Sequence, residues 1–231
     1  MTTDAPGPAR GGQPPLLHPP YGSTRKRAPL EPPVTIPLTA SEGSGPIFGP
    51  DEVGPGDADL TLQGALGQKI FVGGRVTDEA GRPLARTLVE IWQANAAGRY
   101  RHDADAFRAP LDPAFEGCGR ALTDDDGRYR FVTIRPGAYP WRNHHNAWRP
   151  AHIHFSLFGV SFAQRLVTQM YFEGDPLLPH DPIWTSIPDP AARDRLVARH
   201  DWDMTLDHEG LGYRFDIVLS GRASTPFERY R

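Results

Sequence analysis

ALTDDDGRYRFVTI, residues 121–134, is the stretch that decides the class of fold. DDDG is a turn signal, and behind it Tyr129, Phe131 and Thr133 recur at every second position. A period of two is one face of a β-strand, and a polar glycine turn between two such runs reads as a hairpin. The same pattern spreads outward. QKIFVGGRVTD (68–78) is rich in β-branched and aromatic residues, and DEAGRP (78–83) closes it with a turn. TLVEIWQA (87–94) puts Leu88, Glu90 and Trp92 on one face and Val89 and Ile91 on the other. AHIHFSLFG (151–159), RLVTQMYF (165–172) and YRFDIVLSG (213–221) follow in kind. Only DPAARDRLVARH (189–200) reads as a helix, with Pro190 near its start and Leu196 and Val197 as a narrow apolar face. Roughly six to eight short strands predict an all-β chain, a β-sandwich of prealbumin or Ig-like type. Long loops at 95–119, 135–149 and 173–188 would carry its active site.

The 231 residues include 24 Gly and 25 Pro, which suits many turns. Residues 1–67 lack either periodicity, and their Pro, Gly and Ser content predicts an extended N-terminal arm. Scattered Leu30, Val34, Ile36, Leu38, Ile47 and Phe48 would let that arm lie on the domain or on a partner chain. Residues 68–231 then form the β-sandwich domain. The net charge of −3 leaves no global footprint for nucleic acid. No apolar run approaches the ~20 residues of a membrane span, and the first residues lack a signal-peptide core, so the expected address is cytoplasmic. A single cysteine, Cys118, excludes an intrachain disulfide and a cysteine-rich zinc site.

His152 and His154 stand two apart in a strand, so both side chains leave the same face and can reach one ion. Spacing alone leaves open an ordinary surface or core pair. A metal site needs further ligands. Asp103, Asp105 and Glu173 are the nearby carboxylates, without the spacing of a known triad. Tyr100 in GRYRH and Tyr139 in RPGAYPWRN are the phenols; each could also be a plain rim or turn tyrosine. A phenol, with its pKa of about 10, ligates well only a hard, strongly Lewis-acidic ion such as Fe(III).

LVEIWQANAAGRYRH (88–102), RPGAYPWRN (135–143) and WRPAHIHFSLFG (148–159) closely resemble the intradiol ring-cleavage dioxygenases. With APLDP, YFEGDPL and YRFDIVLSG, the resemblance covers roughly residues 70–220. It implies a non-haem Fe(III) held by Tyr100, Tyr139, His152 and His154. Tyr139 would be the axial tyrosine that releases the metal and takes a proton, and Arg149 the guanidinium beside the substrate ring. Gln169 would orient Arg149, while Trp141 and Ile183 would wall the pocket. The implied reaction opens a small aromatic diol with O2 between its hydroxyl-bearing carbons.

HPPYGSTRKRAP (18–29) is similar to the arm of the iron-binding β chains that act on protocatechuate, which places Tyr21 and Arg27 near the substrate. A cation there suits a carboxylated diol. That resemblance implies an α chain as partner. Catechol or hydroxyquinol 1,2-dioxygenase is the alternative within the family, though those enzymes carry a helical N-terminal segment. A non-catalytic prealbumin-like sandwich, or a zinc or ferrous site on the two histidines alone, are the readings outside it. His144 and His145 depart from the pattern and read as solvent-exposed loop residues.

Overall fold

A computed structural model describes residues 12–32, 34, 53–141, 148–158, 165–221 and 223–227; His144 and His145 lie outside them. The chain is mostly β. In order come α1 (Thr24–Arg27), β1 (Lys69–Thr77), β2 (Leu88–Gln93), β3 (Cys118–Leu122), β4 (Arg128–Ile134), β5 (Tyr139–Pro140), β6 (Trp148–Arg149), β7 (His152–Phe158) and β8 (Arg165–Phe172). Then follow α2 (Pro182–Thr185), α3 (Pro190–Asp194), β9 (Val197–His200), β10 (Leu211–Arg214) and β11 (Ile217–Val218). No helix among the described residues is long and apolar enough to cross a membrane.

Nine strands form one sheet in the order β11-β1-β10-β9-β8-β7-β2-β3, with β4 paired to β1. The two-residue strands β5 and β6 pair separately. The strands β3 and β4 do not pair as the expected hairpin, since β3 pairs with β2 and β4 with β1, but the turn between them forms at Asp124–Gly127. Its carboxylate Oδ1 accepts the backbone N–H of Asp126 and Arg128, and Gly127 takes a φ of 74° that favours glycine.

Strand alternation builds the core. Ile70, Val72 and Val76 of β1, Phe131 of β4, Val89 and Ile91 of β2, and Ile153, Phe155 and Leu157 of β7 join one buried cluster. Phe155 meets Phe131 at 6.4 Å and Phe215 at 5.1 Å between ring centroids. Burying such a ring contributes about 1.5–3 kcal/mol. Because the odd residues of β7 fill this core, its even residues, His152 and His154, must leave from the opposite face.

Two expectations change. The helix predicted at 189–200 stops at Asp194, and Val197–His200 instead form β9. The start was legible: the Asp189 side chain accepts Ala191 N–H at 3.0 Å and Pro190 sits in the first turn. Beyond it, pairing with β8 and β10 outweighs local helix propensity. The segment 173–188 is not a plain loop either; it holds a 3-10 turn at Leu178–His180 and α2.

The N-terminal stretch packs on the body. Thr24 is buried, and its hydroxyl donates to the carbonyls of His18 and Tyr21 around α1. Gln13 bonds Ser224 and the N–H of Phe227. Further on, Leu60 joins the core cluster and donates its N–H to Val132 O at 2.8 Å.

Candidate metal centre

The site begins on the polar face of β7. Registers place Trp92 of β2 beside His154, and Gln169 and Tyr171 of β8 opposite His154 and His152. His152 and His154 are 2% and 4% exposed, so their polarity must be satisfied internally. His152 Nδ1 lies 2.7 Å from Pro150 O. A carbonyl only accepts, so Nδ1 carries the proton and the lone pair sits on Nε2. Burial first, then the charges of Arg149 and His154, pushes the His152 pKa well below the usual imidazole value. The ring is therefore neutral, the state in which imidazole ligates a metal.

Two loops bring phenols to these nitrogens. Tyr100 follows β2, and Tyr139 opens β5 after β4. Asn95 ties the loops together: its carbonyl accepts the N–H of both Gly98 and Gly137 at 2.9 Å. Gly98 has φ 79°, and a Cβ there would collide with the Ala138 carbonyl; one at Gly137 would collide with Ala96 O. Only glycine lets the two backbones approach so closely. The Tyr100 and Tyr139 rings then meet edge to face, 5.4 Å apart at 83°.

The donor atoms converge. Tyr139 Oη is 3.2 Å from His152 Nε2, and Tyr100 Oη is 3.2 Å from His154 Nε2. The two imidazole centroids are 4.9 Å apart. Ligand atoms bonded to one ion at ~2.1 Å and at right angles lie roughly 3 Å from each other, so the separations suit a shared ion. The donor set, two phenols and two neutral imidazoles, suits a hard trivalent metal more than zinc. The carboxylates are engaged elsewhere: Asp105 accepts Tyr100 N–H at 2.8 Å, Glu173 accepts His200 N–H, and Asp103 is exposed. Among the described residues, no three His, Cys, Asp or Glu gather as a metal cluster. Trp92 lies flat on His154, with centroids 4.7 Å apart and planes at 3°.

Arg149 pairs across the β5–β6 ladder with Tyr139 and is 2% exposed. Its Nη1 is 3.3 Å from His152 Nε2. Its Nη2 donates to Gln169 Oε1 at 2.6 Å and reaches Tyr171 Oη at 3.1 Å. Asp181, fully buried, accepts from Nε at 3.1 Å and Nη2 at 2.6 Å. Trp141 covers the guanidinium at 5.1 Å and meets Tyr21 at 5.3 Å, while Arg27 lies 4.8 Å over the Tyr21 ring. The structure thus brings Tyr100, Tyr139, His152, His154, Arg149, Gln169 and Trp141 together. Tyr21, Arg27 and Ile183 border an adjoining cavity of about 220 Å³, shared with Gln169 and Tyr171.

Sequence reading missed Asp181 and Tyr171. Asp before Pro in HDPIW signals a helix cap, which Asp181 provides to Ile183 N–H at 2.7 Å, but nothing local marks it as the partner of Arg149. Tyr171 differs from any core tyrosine only through the register of β7 and β8.

Residues 44–221 match the family model described as Dioxygenase, and residues 5–39 match one described as Protocatechuate 3,4-dioxygenase beta subunit N terminal. The protocatechuate 3,4-dioxygenase beta chain of Burkholderia cepacia is 56% identical, over 94% of each chain. The catechol 1,2-dioxygenase of Candida albicans is 32% identical, over 79% of this chain and 62% of its own. Among solved structures, the dioxygenase domain of a dioxygenase carbohydrate-binding protein fusion from Streptomyces sp. SirexAA-E matches with a TM-score of 0.54 at 29% identity. That match covers 76% of this chain and 94% of the domain.

Proposed function

The chain belongs to the intradiol ring-cleaving dioxygenase family, and from that membership we propose that it is the iron-binding β chain of a protocatechuate 3,4-dioxygenase. It would open protocatechuate with O2 to 3-carboxy-cis,cis-muconate, both oxygen atoms entering the product. The observation that carries this is the 56% identity to a β chain over nearly the whole length, arm included. The weaker likeness to a catechol 1,2-dioxygenase leaves that activity as the alternative.

In this reading Tyr100, Tyr139, His152 and His154 hold Fe(III). The bound ion would supply a Lewis-acidic centre that draws electron density from the diol and readies its ring for O2. The remaining work falls to the chain. Tyr139, whose Oη lies 3.2 Å from His152 Nε2, would take a proton from an incoming hydroxyl. Trp92 fixes the plane of His154 by stacking. Arg149 keeps a permanent cation beside the reacting ring, where carbanion character would develop. Gln169 orients that guanidinium, Trp141 and Ile183 wall the pocket, and Tyr21 and Arg27 face the carboxylate end of the substrate. A sandwich of two β layers suits this reading, because side chains of β1 and β4 share one core with those of β2 and β7. So do the division into arm (1–67) and catalytic domain (68–231), an α chain as partner, and a cytoplasmic address.

Co-purification with its α chain, followed by a visible spectrum, tests the reading. Tyrosinate bound to ferric ion gives a red-brown colour; protocatechuate without oxygen should shift the band, and oxygen should restore it. A colourless, iron-loaded protein would overturn the tyrosine ligands. Faster turnover of catechol than of protocatechuate would overturn the substrate.

A further inference from the structure

We propose that Asp181 is a positioning residue that sets, from one carboxylate, both the guanidinium of Arg149 and the wall carrying Ile183; this rests on the ring-cleavage reading above. Its two oxygens are divided between these tasks. Oδ2 accepts Arg149 Nε at 3.1 Å and Nη2 at 2.6 Å, and Oδ1 accepts Ile183 N–H at 2.7 Å. Both Asp181 and Arg149 are shut off from water, at 0% and 2% exposure. One oxygen accepting both Nε and Nη2 fixes which edge of the guanidinium faces Asp181, through charge-assisted bonds. With Nε and Nη2 held on that edge, Nη1 is the nitrogen left to face the metal ligands, 3.3 Å from His152 Nε2. Asp181 also balances the charge of the guanidinium, so that a cation can sit beside a second positive centre in a dry site. Through Oδ1 the same side chain caps α2, whose first turn contributes Ile183 to the adjoining cavity. The rotation of Arg149 and the position of the α2 wall are thereby fixed to one point.

Asp181→Asn separates the two tasks. Its amide oxygen can still cap Ile183, but its NH2 group turns donors toward the donors of Arg149. In the full complex with the α chain, iron content and the tyrosinate band should match wild type. Turnover should fall on the order of 10²-fold, as expected for a misplaced reacting group. In an Arg149→Gln background the same change should add little further loss, because the group it positions is gone. A crystal structure of metal-free Asp181→Asn should show Nη1 moved away from His152 Nε2 with α2 in place. Should that variant not fold, Asp181→Glu, which moves the carboxylate outward by one methylene, carries the same expectations for turnover and for Arg149. Unchanged turnover, losses that multiply in the double variant, or an unmoved guanidinium would each overturn the proposal. If wild type itself cleaved no diol, the functional reading would fall, and the crystallographic position of Arg149 would still decide the role of Asp181.

Discussion

Arg149 and Asp181 are an ion pair held out of water, and this decides what a substitution there costs. Replacing Arg149 with Ala or Met leaves the Asp181 carboxylate buried without its counter-ion. Unfolding in denaturant should register a loss of about 3–5 kcal/mol. The exposed pair Arg199–Asp194 has similar geometry at 2.7 Å, yet Arg199→Ala should change stability by less than about 1 kcal/mol, since water already solvates both groups. Substitutions among the proposed ligands should separate by role. His154→Ala removes a donor that nothing adjacent replaces, and metal analysis should find the iron lost. Tyr139→Phe should retain most of its iron but slow anaerobic binding of protocatechuate, read as the rate of the spectral shift. Wild-type binding rates in that variant would argue against a proton-accepting Tyr139.

Among the elements, the two loops carrying tyrosine depend on backbone contact more than on side chains. Gly98→Ala places a methyl group against the Ala138 carbonyl at a positive φ. It should destabilise the protein by at least about 1 kcal/mol and lower iron occupancy, because Tyr139 directly follows the displaced residue. Strand β4 carries a different liability. Tyr129 is buried and donates to Phe215 O, and burial raises its pKa well above 10. The unfolded tyrosine ionises near pH 10 and the folded one does not. Stability is therefore complete below that value and is lost as pH rises above it. Tyr129→Phe should flatten this alkaline loss in a pH series of melting curves, at the cost of leaving the Phe215 carbonyl without its donor. The period-two pattern made the long strands legible, and the paired histidines with them, because a strand writes its faces into every second residue. The residues at 197–200 were misread because their structure comes from neighbours far away in sequence. Asp181 stayed hidden for a related reason: its role depends on a partner 32 residues away, and helix capping alone accounts for its local pattern.

At the scale of the molecule, arm and centre are continuous. Arg27, Tyr21, Trp141 and Arg149 form an unbroken file, two aromatic rings with a guanidinium at either end, from α1 to the candidate metal centre. Each contact in such a file is worth roughly 0.5–1 kcal/mol or more where water is excluded. Tyr21→Ala should therefore be felt at the centre, as a raised KM for protocatechuate with the iron band intact. That both family models match, one on the arm and one on the body, fits a chain in which neither part completes the pocket alone. The flat stack of Trp92 on His154 gives the molecule its own optical gauge. An indole in van der Waals contact with a ligand of a coloured ferric ion would pass its excitation to that ion and go dark. Of the five tryptophans, Trp92 should dim most as iron is titrated into metal-free protein, and Trp92→Phe should remove most of the change. Loading could then be followed by fluorescence, in the absence of any substrate.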